Sequence, residues 1–182
     1  FLQKQFIEAF ELKEKIDNNP RRTQDRNKPV DIENSESDTF ENEPDTDFDL
    51  RPNRLWADKI RKAWKKSSSD KPYQIPVQIG AQTIETEKKQ SFLDRSQDNK
   101  VCVCEASLAN TDQVNAMVDV AEAEAGGWRK TDLATRKKIL HKTAALLAQK
   151  RGDLIGCMAA ITGKTFAEGD VEVSEAIDFC RF

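Results

Sequence analysis

The stretch GGWRKTDLATRKKILHKTAALLAQKRGDLI, residues 126–155, decides how the chain is read. Gly126 and Gly127 end one helix, and a polar start near Thr131 or Asp132 opens the next. Leu133, Ile139, Leu140, Ala144 and Leu147 then follow at helical spacing, which predicts that they are buried. The segment is amphipathic and well formed. It nevertheless holds no nucleophile beside a base, no metal-ligand cluster and no phosphate loop. Its purpose has to come from its flanks.

Downstream, a third helix is expected over residues 153–161, ending at Gly163. A fourth begins near Glu168, with Val173, Ala176, Ile177 and Cys180 on one side. Upstream, Asn110 and Gln113 form a capping-box pattern before Val114, Met117, Val118, Ala121 and Ala125. Residues 73–105 read as strands. Tyr73, Ile75, Val77 and Ile79 alternate with polar positions or with Pro76, which belongs at an edge or bulge. Gly80-Ala81 makes a tight turn into QTIETE, and SFLD and KVCVCEA follow. The expected fold class is α+β: a small hairpin-rich sheet of two to four strands, then a helical segment.

The first half is different. Residues 1–16 read as a short amphipathic helix, with Leu2, Phe6, Ala9, Phe10 and Leu12 near helical spacing, closed by Asn18, Asn19 and Pro20. From Asp31 to Asp49 every charge is acidic. Such composition reads as a solvated linker, with an acidic docking arm as the alternative. Residues 21–47 are expected to be a poorly packed connector. Phe40 and Phe48 would let residues 40–48 dock against the next helix, PNRLWADKIRKAWKK, which carries Trp56 and Trp64.

Composition limits the function. Charged residues are 34% of the 182 and apolar residues 37%, so the core is confined to part of the chain. A net charge of −3 gives nucleic acid no bulk attraction. No apolar run reaches the roughly 20 residues of a membrane span, and the start FLQKQFIEAF lacks a signal-peptide pattern. Four cysteines without an export signal imply a reducing, cytoplasmic setting. Both ends fall within helical patterns, so the expectation is a piece of a longer protein.

Each candidate site is weak by residue type alone. Cys102 and Cys104 share one face of a strand with no second pair and no nearby His, which argues against a metal site. Cys157 and Cys180 read as small core residues, and His141 as a surface residue on a basic flank. Ile161-Thr162-Gly163-Lys164-Thr165 ends like a phosphate loop, but Met158 stands where the first glycine is required. Glu168, Asp170, Glu172, Glu175 and Asp178 crowd the last helix. They read as a solvated face, or as a face from which one acid reaches a channel.

The order of these elements resembles the N-terminal segment of the aldehyde dehydrogenase superfamily. The residues that carry the likeness are Trp128, Arg136, Ile139, Leu140, Ala144, Leu146, Leu147, Gly163 and Lys164. EAIDFCRF, residues 175–182, is similar to the L-glutamate-γ-semialdehyde dehydrogenase branch. FENEPDTDF, residues 40–48, resembles an element of the bifunctional proline utilization A family, which joins a proline dehydrogenase barrel to an aldehyde dehydrogenase. Gly126-Gly127, Asp94-Arg95-Ser96 and Ile161-Thr162 depart from the family pattern.

The resemblance implies an α/β parent that oxidises proline to glutamate through glutamate semialdehyde, by an FAD-dependent and then an NAD-dependent step. It implies a tail over 1–20, a linker and short helix over 21–72, and an incomplete dehydrogenase domain over 73–182. NAD and FAD would bind outside this chain, and so would the catalytic Cys and Glu, leaving the piece inactive alone. Its partners would be the rest of the polypeptide, a small-molecule substrate and further copies in a homo-oligomer. Glu175 is the one candidate substrate-binding residue, because the branch places an acid of this helix near the aldehyde entry. The alternative is a stand-alone helical interaction module with an acidic arm.

Overall fold

The computed structural model describes residues 2–12, 19–33, 35–65, 70–97, 101–123 and 126–182. The expected helix end at Asn18 and the packing of Ala125 lie outside them. Helix α1 (Leu2–Leu12) leaves Leu2, Phe6 and Phe10 exposed, with the two phenylalanine rings meeting edge to face. Residues 19–33 and 35–50 are irregular and precede α2 (Arg51–Trp64), whose first turn contains Pro52, where a missing N–H costs nothing.

The strands are β1 (Tyr73–Ile75), β2 (Val77–Ile79), β3 (Gln82–Ile84), β4 (Lys89–Leu93) and β5 (Cys102–Ser107). The sequence reading joined Tyr73 to Ile79 in one strand. Pro76 has no amide hydrogen to give a ladder, and it divides that run between two sheets. β2 and β3 form a hairpin in which Ile79 faces Gln82, and Gly80 adopts the positive φ of 57° that such two-residue loops demand. β5 is the centre of the other sheet. It pairs antiparallel with β4 and, unlike a hairpin, parallel with β1, setting Tyr73 beside Cys104. Paired on both edges, β5 also buries Val103 and Cys104, which alternate to opposite faces of the sheet.

The rest is helical: α3 (Thr111–Ala123), a 3-10 turn at Trp128–Lys130, α4 (Leu133–Gln149), α5 (Arg151–Thr162) and α6 (Phe166–Arg181). Local chemistry sets several of the boundaries. Asn110 and Gln113 exchange hydrogen bonds of 2.8 Å ahead of α3. The Asp132 carboxylate accepts the Thr135 N–H at 2.9 Å, and that bond holds its pKa below the usual range. Gly163, with φ 76°, ends α5. Thr165 and Glu168 then form a reciprocal capping box that opens α6.

Packing corrects the reading of α4. Leu133 is 82% exposed, and Ile139 and Leu140 are also exposed. The buried side of the helix is His141, Ala144 and Ala145, with Leu147 half-buried as expected. The small alanines admit α6 closely. Ala144 joins Ile155, Val173 and Ile177 in the core of the three-helix unit.

α2 covers the other side of α5, and here glycine is a steric requirement. A Cβ on Gly156 would stand 2.2 Å from Trp64 Cδ1, and one on Gly152 would stand 2.8 Å from Ile60 Cδ1. Trp56, Ile60 and Trp64 therefore rest on bare backbone, while Leu55 and Ala63 of the same expected face stay exposed. Gly156→Ala is expected to destabilise the fold by about 1–3 kcal/mol, because overpacking outweighs the better helix propensity. Gly126, whose added Cβ would meet nothing within 4 Å, is the control. Gly126→Ala should stay within about 0.5 kcal/mol of the parent in equilibrium urea denaturation.

Candidate functional site

The acidic segment is not a loose connector. Residues 35–49 form an irregular strap that bonds to α4, α5 and α6 through Ser37, Asn42, Glu43 and Thr46, while Asp47 and Asp49 pair with Arg22. Thr46 is buried, and its N–H and hydroxyl both donate to the Asp170 carboxylate. Asn42 Nδ2 and the Glu43 N–H donate to the two oxygens of Asp178 at 2.8 and 2.7 Å. The strap meets α2 chiefly at its first turn, where Asn53 donates to the Asp47 carbonyl at 3.0 Å and Arg54 to the Phe48 carbonyl. The tryptophan face expected to receive Phe40 and Phe48 lies instead against α5. Phe40 stacks edge to face on Phe182.

Cations make this docking possible. Arg151, 2% exposed, donates to Asp170 Oδ1 and to Glu43 Oε1, each at 2.8 Å, and to Ser174 Oγ at 3.0 Å. Arg181 reaches the second Glu43 oxygen at 3.0 Å. Arg26 reaches Glu43 at 3.2 Å and the Thr46 hydroxyl at 2.9 Å. Burial, and then repulsion from Arg151, push the Arg26 pKa below its ordinary value, while Asp170 and Glu43 pull it back. Three guanidiniums thus answer the carboxylates of Glu43 and Asp170. An acidic stretch reads as solvated only while its cations, far off in sequence, are out of view.

The five acids of α6 separate by role. Glu168 caps its own helix. Asp170, expected on a solvated face, is 1% exposed and holds Arg151 and Thr46. Glu172 pairs with Lys164. Asp178 holds the strap. Glu175 is exposed and, among the described residues, has no hydrogen bond or ion pair. It stands on one face with Val171 and Phe179, which are 50% and 75% exposed. That carboxylate in an apolar stripe is the candidate site.

Other candidates recede. His141 is buried, not at the surface: the strap crosses it, and the Ser37 N–H lies 3.3 Å from its Nδ1. All four thiols are free. Burial raises the pKa of Cys104 and of Cys157, the reverse of what an attacking thiolate needs. Among the described residues no three metal-ligating side chains come together, and no helix is long and apolar enough to cross a membrane. A groove of about 920 Å³ lies between the strap and α4, lined by Phe40, Trp128, Lys137 and His141, but Glu175 is not part of it. The turn at Gly163-Lys164-Thr165 offers no phosphate cradle, since the α6 N-terminus is closed by its own capping box.

Residues 84–182 match the Aldehyde dehydrogenase family, more than half of the 182 residues, and the chain belongs to that family. The 1-pyrroline-5-carboxylate dehydrogenases of Geobacillus sp. (strain WCH70) and Bacillus mycoides (strain KBAB4) are 27% and 28% identical to it over 143 residues. That region is 79% of this chain and 27% of theirs, so the chain spans about a quarter of the length of these curated relatives. Proline utilization A from Bdellovibrio bacteriovorus, inactivated by N-propargylglycine, superposes with a TM-score of 0.71 at 26% identity, over 79% of this chain and 14% of that one. The 1-pyrroline-5-carboxylate dehydrogenase from Thermus with bound NAD superposes with a TM-score of 0.71 at 23% identity, over 80% of this chain and 27% of that one, a likeness of fold. The expected fold class stands: helices and small sheets forming part of an aldehyde dehydrogenase-like domain.

The polar cluster was the part the sequence reading missed, although Asn42, Glu43 and Thr46 all lie in the quoted FENEPDTDF element. Glu43→Ala removes the acceptor shared by Arg26, Arg151 and Arg181 and should cost about 3–5 kcal/mol. Limited proteolysis with mass spectrometry should then show new cleavage within residues 35–47. Glu41→Ala, at an exposed neighbour, should change neither stability nor the cleavage pattern.

Proposed function

We propose that this chain is the first part of the dehydrogenase domain of a bifunctional enzyme that oxidises proline to glutamate. In that reading an FAD-dependent proline dehydrogenase precedes it, with residues 1–20 as the tail of its barrel and 21–72 as the connector, here folded onto the dehydrogenase part. Residues 73–182 open the domain that oxidises glutamate semialdehyde, with NAD⁺ as hydride acceptor. The reading extends to a cytoplasmic homo-oligomer.

Support comes from the family, from the names of the relatives and from α6. Oxidation of an aldehyde to an acid needs a nucleophile, a base and a hydride acceptor. No described residue of this chain is placed for the first two roles, and the turn at Gly163 offers no phosphate cradle. The chain's own contribution is therefore scaffold and substrate recognition.

The observation that carries the reading is Glu175. Each other acid of α6 has a partner, whereas Glu175 presents its carboxylate among Val171 and Phe179. A surface acid needs no apolar surroundings, but an acid that meets an ammonium in a partly desolvated site does. Opposite charges a few Å apart are worth roughly 1–4 kcal/mol there. Glutamate semialdehyde carries such an ammonium beside its α-carboxylate.

The 182-residue chain alone should turn over no NAD⁺ with proline or with glutamate semialdehyde, as read at 340 nm. In the full-length enzyme, Glu175→Gln should raise the KM for glutamate semialdehyde by about tenfold or more while leaving NAD⁺ binding and the KM for propanal nearly unchanged. Equal loss with both aldehydes would show a role in folding, and no loss would return Glu175 to the solvated surface.

A further inference from the structure

We propose that the strap is a positioning element for the substrate-binding carboxylate of Glu175, and that Asn42 is its specificity-setting residue. The proposal rests on the reading of Glu175 above.

α6 is gripped along one side at separated points. Asp170 is held by Thr46 and Arg151, Asp178 by Asn42 and the Glu43 backbone, and Arg181 by the Glu43 carboxylate. Asp170 and Asp178 are two turns apart, roughly 12 Å along the axis. Two anchors so spaced fix the rotation of the helix about its own axis, which apolar packing alone leaves free to slide by fractions of a side chain. Glu175 stands one turn before Asp178 and about 60° around the helix from it. Whatever sets Asp178 therefore sets the direction in which Glu175 points. A rotation of about 20° at a side-chain radius of some 5–6 Å would carry that carboxylate about 2 Å, enough to lose a charge-assisted contact.

Asn42 and Glu43 capture Asp178 as a pair. Asn42 Nδ2 donates to Oδ2 at 2.8 Å, and the Glu43 N–H donates to Oδ1 at 2.7 Å, so both oxygens are fixed and the carboxylate cannot turn. Glu43 and Thr46 are also bound into the buried ion cluster, and losing either threatens the fold. Asn42 is exposed, and among the described residues its side chain bonds to Asp178 alone. It is the position at which aim can be separated from stability.

The test is steady-state kinetics of the full-length enzyme with glutamate semialdehyde and with propanal, beside thermal melting. Asn42→Ala should raise the KM for the ammonium-bearing aldehyde by about three- to tenfold, with kcat and the KM for propanal within about twofold and the melting temperature unmoved. The exchanged pair Asn42→Asp with Asp178→Asn restores the bond with its donor reversed, and should recover the wild-type KM where Asn42→Asp alone does not. Equal loss with both aldehydes, no loss, or failure of the exchanged pair to recover would overturn the proposal. Glu175→Gln run alongside separates the failures. If that variant is selective for the charged aldehyde and Asn42→Ala is not, only the positioning role falls. If Glu175→Gln is itself unselective, the reading of Glu175 falls and the positioning role with it.

Discussion

The guanidinium of Arg151, closed off from water between Asp170 and Glu43, is the interaction on which the rest of the structure depends. Taking one ion out of water costs several kcal/mol, and only excellent geometry offsets it. Here the cation has two carboxylates and a serine hydroxyl, and each carboxylate has further donors. Withdrawing Arg151 would leave the buried Asp170 with no cation bonded to it. The cluster joins the strap, α5 and α6, three pieces that local propensity would leave independent. The alanines of α4 and the glycines of α5 then decide how closely the helices around it can approach.

α6 divides its work by face. Val173 and Ile177 fill the core, Asp170 and Asp178 hold the strap, and Glu168 and Glu172 settle the first turns of the helix. What remains is a stripe in which Glu175 is flanked by apolar side chains. In this segment of an aldehyde dehydrogenase family member the chain supplies a frame. It builds a rigid helix and leaves one carboxylate on it uncommitted. Residues 126–155 supply α4 and the start of α5. The segment provides the platform on which α6 lies.

Much of the local structure was legible. The capping box at Asn110 and Gln113, the Asp132 cap, the glycine stop at 163 and the hairpin turn at Gly80 were all readable, because each is closed by groups within a few residues. The site was less so. Asp170 looked like one more solvated acid, His141 like a surface base, and residues 21–47 like a free connector. Leu133 and Ile139 were read as core because periodicity marks an apolar stripe without saying which part of it a neighbour covers.

By itself the sequence determined where helices begin and end, that a small sheet precedes a helical unit, and which family the chain belongs to. Those properties rest on hydrogen bonds and periodicities that repeat over a few residues. Tertiary structure alone decided that β1 lies parallel to β5, that α2 rests on glycine backbone, and which acids are buried. The Glu43–Arg151 and Thr46–Asp170 contacts span 108 and 124 residues. A charge is solvated or buried according to what the fold brings beside it, and across such separations only the folded chain specifies the partner.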